Sequence, residues 1–389
     1  MSEAQAPSVP PAAACPVPLS ALPANFQKHV DPGAPVPLRM MGAKALVPMA
    51  PKEMATALFM LTFDADAAVR DAATKSAAGL PDRILSVALR DESIDPPVLD
   101  YYAGTYAAKT EYLEMLVLNP STPDATVQRI TASATERVLE IVAQNQLRML
   151  RHPDIVRALV SNAAARPSTV DNVCDFCVRS GLTLEDVPAF REARRRIHGD
   201  EAQAKKAAAL QRLSESQAEA ALEKMGATGP DAEEKPLAPG SAEEQAEEQK
   251  KLSITQQIMK LGVAKKVEWA NKKGNKEVRT ILLRDPNKLV QLAVIQSSRI
   301  TEGEIAKVAL SRTAPQEVLQ YIYNNRQLVK NYQIKVNLIN NPKMPVAVSM
   351  RFLSSLRAAE VKAVAKNKNV PHGLASAAKR LLDKKSGGS

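Results

Sequence analysis

The sequence predicts an all-α protein: two α-solenoid arrays of short helices joined by a flexible acidic linker. Three observations lead there. An Asn-Pro-x-x-Pro unit opens at Asn119 and again at Asn341, each time between two apolar helical stretches. Apolar residues recur at helical spacing inside units that begin roughly every 13 to 16 residues, the length of a three-turn helix and a short turn. Glycine is scarce, at 15 of 389 residues, and the apolar content is mostly Ala, Leu and Val, which suits closely packed helices.

Taken in order, residues 1–40 hold nine of the 27 prolines and little helical periodicity, and read as a disordered Pro-rich tail. Residues 41–200 form the first array. It includes Phe63-Asp64-Ala65-Asp66-Ala67-Ala68-Val69-Arg70, an acidic turn running into a helix, and looser turn units at 91–97 and 163–167. Residues 201–250 divide into a charged helix and an acidic, disordered linker.

The second array spans 251–383, with helix starts expected near Pro286, Thr301, Pro315, Asn331, Pro345, Ala359 and Pro371. Proline is tolerated in a first turn because its missing N–H has no intrahelical acceptor, and Asn, Asp or Thr before it can cap the remaining donors. The apolar sets Ile305, Val308, Ala309 and Val318, Leu319, Ile322 mark the buried faces. Helices this short need neighbours, and stacking them buries a continuous core. The stretch from Val138 to Asn145 aligns with that from Val318 to Asn325, and each is followed by a further asparagine, Asn162 or Asn341. The two halves therefore read as copies of one array.

The stretch from Asn275 to Ile295 (NKEVRTILLRDPNKLVQLAVI), together with Ile300-Thr-Glu-Gly-Glu-Ile and Asn331-Tyr-Gln-Ile-Lys-Val, resembles uncharacterised HEAT-like helical-repeat proteins of deltaproteobacteria. The resemblance covers roughly residues 252–383 and is weaker for the first array. It implies an α-solenoid in a bacterial cytoplasm and carries no activity and no functional residues.

Charge is distributed unevenly. Residues 251–389 contain 26 Lys and Arg against 8 Asp and Glu, a net +18, whereas the rest of the chain, with 26 basic and 34 acidic residues, stands at −8. Lys307, Arg312, Arg326, Lys330, Lys335, Arg351, Arg357 and Lys362 recur through successive units and are the candidate partner-binding or polyanion-binding residues. On one ridge they would track a phosphate backbone; dispersed, they would be a solvated surface. The densest cluster, from Lys260 to Lys276 around the sole tryptophan, Trp269, reads either as a basic amphipathic helix anchored by that ring or as the polar outer cap of the array. A further reading has the acidic segment 226–250 folding back on the basic array and masking it.

Catalytic chemistry finds little support. No Gly-rich phosphate loop, nucleophile elbow or His-Glu-x-x-His motif occurs, and no cofactor is expected. Asp64, Asp66 and Asp124 sit at helix starts, where capping explains them. Cys174 and Cys177 lie three apart beside Val173 and Val178, a spacing that suits two buried thiols on one helix face; the histidines are too scattered to complete a metal site. Three cysteines suit a reducing compartment, so a cytoplasmic location is expected, and no apolar run approaches a bilayer span. The expected function is a non-enzymatic scaffold or adaptor that binds a protein partner, with nucleic-acid binding by the basic array as the alternative.

Overall fold

The computed structural model describes residues 14–199, 201–229 and 242–386. Among these residues the regular structure is helical, apart from one isolated antiparallel bridge between Thr228 and Gly274. The chain divides into two compact units: residues up to Asn145 with Asp154–Thr169, and Gln146–Pro153 with everything from Val170 onward.

The first unit begins with a short helix, α1 (Ala24–Gln27), and then builds two layers. One contains α3 (Pro51–Leu61), α5 (Asp82–Leu89), α7 (Thr110–Leu118) and α9 (Glu136–Gln144), each packed on the next. The other contains α2 (Val36–Ala43) against α4 (Ala67–Ala78), and α6 (Pro96–Thr105) against α8 (Asp124–Ser133), which carries α11 (Asp154–Ser161). Leu58, Leu85, Leu99, Leu116 and Leu139 are fully buried between them.

The second unit takes in α10 (Gln146–Arg151), most of α12 (Pro167–Arg179), α13 (Pro188–His198), α14 (Glu201–Lys224) and α15 (Ala242–Met259). Two layers follow. The first holds α17 (Lys276–Leu282), α19 (Glu302–Leu310), α21 (Tyr332–Asn340) and α23 (Ala358–Lys366). The second holds α16 (Val263–Glu268), α18 (Lys288–Ile295), α20 (Gln316–Asn324), α22 (Val346–Leu353) and α24 (His372–Ser386). Helices pack two apart in the chain, α19 on α21 and α18 on α20, as expected when each hairpin stacks on the one before. The observed starts of α18 to α24 fall within about two residues of the positions expected from sequence, the usual scatter of a helix boundary. Pro315 and Pro345 stand at the N-cap, where their carbonyls accept the bonds from Leu319 and Ser349.

The repeated asparagine acquires a physical role. Asn119, Asn162 and Asn341 each close an Asx turn, the side-chain oxygen accepting from the N–H two residues on, at 2.8–3.0 Å. Each amide nitrogen then donates to two carbonyls at the end of the preceding repeat: Asn119 to Leu89 and Asp91, Asn162 to Thr131 and Ala134, Asn341 to Ala309 and Ser311. These helix-end carbonyls lack intrahelical donors, so one side chain satisfies its own turn and the turn behind it. Within each compact unit a buried ion pair joins successive repeats at the same sequence separation, Arg39 to Asp64 in the first and Arg279 to Glu304 in the second.

Two expected boundaries differ from the structure. From residue 14 onward the proline-rich start is folded: Val17, Leu22 and Val30 are buried, and Arg39 on α2 pairs with Asp64. Proline there shapes turns between short helices and does not keep the chain extended. The charged segment 201–250 also supplies core. Ala218 and Leu222 of α14 are buried in one core with Ile254 and Ile258 of α15, Trp269, Val278 and Leu282. Glu215 accepts a bond from the Gly262 N–H at 3.1 Å, and a Cβ on Gly262 would come within 2.7 Å of that carboxylate. Abundant charge on the outer faces conceals a narrow apolar stripe. Residues 230–241 of the expected linker lie outside the described residues.

Candidate partner-binding groove

Where α17 and α19 lie side by side, with their following turns, they leave a groove of about 660 Å³. Thr280 comes from α17, Leu283 and Arg284 from the turn that follows it, Lys307 and Val308 from α19, and Ser311, Thr313 and Ala314 from the turn into α20. Val308 and Ala314 are buried and give it an apolar floor, while Arg284, Lys307 and Thr313 are exposed.

Two carboxylates line the groove, and both are neutralised from behind. Asp285 receives the Lys266 ammonium at 2.8 Å, with both side chains mostly buried. Glu304 takes the Arg279 guanidinium on both oxygens at 3.2 Å, and its remaining capacity closes a capping box with Thr301. Neither Lys266 nor Arg279 belongs to the lining. Arg284 and Lys307 make no ion pair among the described residues, so the surface presented to solvent carries excess positive charge. The hydroxyls of Ser311 and Thr313 bond each other at 2.9 Å and keep further donor and acceptor capacity. Such a surface can bind an anion that also has apolar parts. Its lining offers no Cys, His or nucleophile-base pair.

Of the eight basic residues singled out from sequence, Lys307 alone lines this groove. Lys307, Lys335 and Lys362 ride on α19, α21 and α23. Arg312 stands in the turn before α20, and Arg326 and Lys330 in the connection after it, so that nine-residue helix, about 13 Å long, separates them. Arg351 and Arg357 lie in or beside the connection from α22 to α23, the same kind of connection as Arg326 and Lys330. Arg351 and Arg357 cover the rings of Phe352 at 5.3 Å and Tyr332 at 4.9 Å. The set is distributed over helix exteriors and both kinds of turn, with half of it near one edge. Arg284 was not singled out, because its neighbours are chosen by tertiary packing; the adjacent Asp285-Pro286 turn was the only local sign.

Trp269 is fully buried in a five-residue π-helix, Trp269–Lys273, and its indole N–H donates to Glu219 of α14 at 3.3 Å. Lys265 and Lys273 reach the same carboxylate oxygen at 3.4 and 3.3 Å. Partial burial opposes ionisation of Glu219, but these three donors outweigh it and hold the carboxyl below its ordinary range. The ring is therefore an internal anchor for α14, and the surface-anchor reading is corrected: Lys265 and Lys273 of the cluster reach Glu219 of that helix, and Lys266 reaches Asp285.

Cys174 and Cys177 are completely buried on α12. Burial pushes their thiols up to about 11 and about 12. Neither has the low-pKa environment a reactive thiol needs. Among the described residues no helix is long and apolar enough to cross a membrane. Compared with known proteins, the chain matches no family model, no curated protein and no solved structure.

Proposed function

We propose that this chain is a HEAT-like repeat scaffold that binds a protein partner and carries out no chemistry of its own. Its two arrays would lie mainly one in each unit, with residues 170–200 of the expected first array in the second unit, and free thiols in both units suit a reducing, cytoplasmic setting. The observation that carries the reading is the groove between α17 and α19, an apolar floor with charged and hydroxyl rims on a stacked-helix surface. Helical stacks of this kind use such inter-repeat surfaces for recognition. Nucleic-acid binding is the second reading, favoured by the exposed basic side chains of Arg326 and Lys330 in one connection. Against it stands the placement of the eight residues on helices as well as on both kinds of turn.

The test has two arms on the full chain. One titrates random-sequence DNA and RNA at several salt concentrations. The other places a photo-cross-linking residue at exposed positions on each layer and each edge, within the native host. Discrete protein adducts with weak nucleic-acid binding are expected. Tight, steeply salt-dependent nucleic-acid binding without protein adducts would overturn the reading.

A further inference from the structure

We infer that the groove between α17 and α19 receives an extended acidic segment of the protein partner. Its carboxylates would meet Arg284 and Lys307, and an apolar side chain would rest on Leu283, Val308 and Ala314. This assignment rests on the protein-binding reading above.

Charge complementarity argues for it first. The groove's own anions, Asp285 and Glu304, are already matched from within the fold by Lys266 and Arg279. An arriving carboxylate therefore meets unpaired cations and little opposing charge. Reversing the sign of the occupant would place two ammonium groups against Arg284 and Lys307 in a partly enclosed site, which costs affinity.

The dimensions agree. Ligand-binding clefts run about 300–1,000 Å³, and this one holds about 660 Å³. Its apolar floor gives a side chain something to bury, which a bare polyanion would not use. No aromatic ring lines it, so nothing there would stack a base. The Ser311 and Thr313 hydroxyls can still bond a peptide backbone along the rim. An acidic peptide carrying apolar residues answers all of these features; a nucleic acid answers only the charge.

Fluorescence anisotropy of the full chain tests the assignment, using a short labelled peptide that alternates glutamate and leucine. Controls are the same peptide with glutamine for glutamate and a short oligothymidylate. Saturable binding is expected, at least about tenfold tighter than for the glutamine peptide. Arg284→Glu with Lys307→Glu turns two attractive pairs repulsive and should weaken binding by about tenfold or more. Lys368→Glu with Lys379→Glu alters net charge equally, away from the groove, and should change it by less than about threefold. All four side chains are exposed, and circular dichroism checks that the fold persists. If the groove pair unfolds the chain, Lys307→Glu alone carries the same expectation.

Equal losses from the two pairs, equal binding of the glutamine peptide, absence of saturable binding, or displacement of the peptide by oligothymidylate would overturn the assignment. Protein adducts at other cross-linking positions, with a peptide that ignores the groove, would remove the groove assignment alone.

Discussion

Asn341 is the most informative single position for the stacking mechanism. Its side chain is 1% exposed, accepts from the Lys343 N–H at 3.0 Å, and donates to the carbonyls of Ala309 and Ser311 at 2.8 and 2.9 Å. Asn341→Ala removes all three bonds and leaves two helix-end carbonyls of the preceding repeat without this donor. A net hydrogen bond contributes about 1 kcal/mol, and stranding a buried acceptor costs about 1–3 kcal/mol, so a loss of about 2–4 kcal/mol is expected after partial relaxation. Asn341→Asp separates the two roles. An aspartate keeps an oxygen for the Lys343 N–H but has no amide donor, and when ionised it faces two carbonyl oxygens. It should therefore destabilise at least as much as alanine at neutral pH.

The assay is urea denaturation followed by far-UV circular dichroism and by fluorescence of Trp269, which is buried in the same unit. If Asn341→Ala costs less than about 0.5 kcal/mol, the inter-repeat bonds are not holding the stack, because that falls below the usual value of one bond. If Asn341→Asp is as stable as the parent, the turn matters and the donors do not. Either result would refute the reasoning.

Three further outcomes are expected. Glu304→Leu should destabilise by about 3–5 kcal/mol in a urea titration because it strands the buried Arg279 guanidinium, whereas adding Arg279→Met should recover part of the loss. For Glu219, whose folded carboxyl lies below its ordinary range, the sign is that of a depressed acid: its stabilisation is present above the unfolded-state value and is lost as pH falls through the folded one. The parent should thus be more stable than Glu219→Gln near neutrality, with the two converging under acid, as read by Trp269 fluorescence across pH. A chromogenic disulfide reagent should find Cys174 and Cys177 unreactive in the folded chain and reactive in denaturant; prompt reaction of both when folded would contradict their burial.

Much of the helical pattern was legible in the residues themselves. Helix starts in the second unit follow from Pro, Asn and Thr at fixed steps, since capping and the missing proline N–H are local effects acting within a few residues. The matching asparagines Asn119, Asn162 and Asn341 announced a repeated unit. The apolar sets around Ile305 and Val318 announced which faces are buried, because helical periodicity maps directly onto a stripe.

Tertiary structure decided the rest, for reasons that lie beyond local spacing. Whether α14 is solvated or packed depends on Ala218 and Leu222 finding Trp269 and its neighbours some 50 residues away, and so few apolar positions among many charges leave a weak periodic signal. Proline in residues 14–40 is compatible with an extended chain and with tight turns alike, and burial of Val17, Leu22 and Val30 chose the turns. The groove is likewise invisible in sequence. Its charge results from which carboxylates are matched from behind: Lys266 reaches Asp285 across 19 positions and Arg279 reaches Glu304 across 25. A count of basic residues fixes net charge; only packing determines which cations are left facing solvent together.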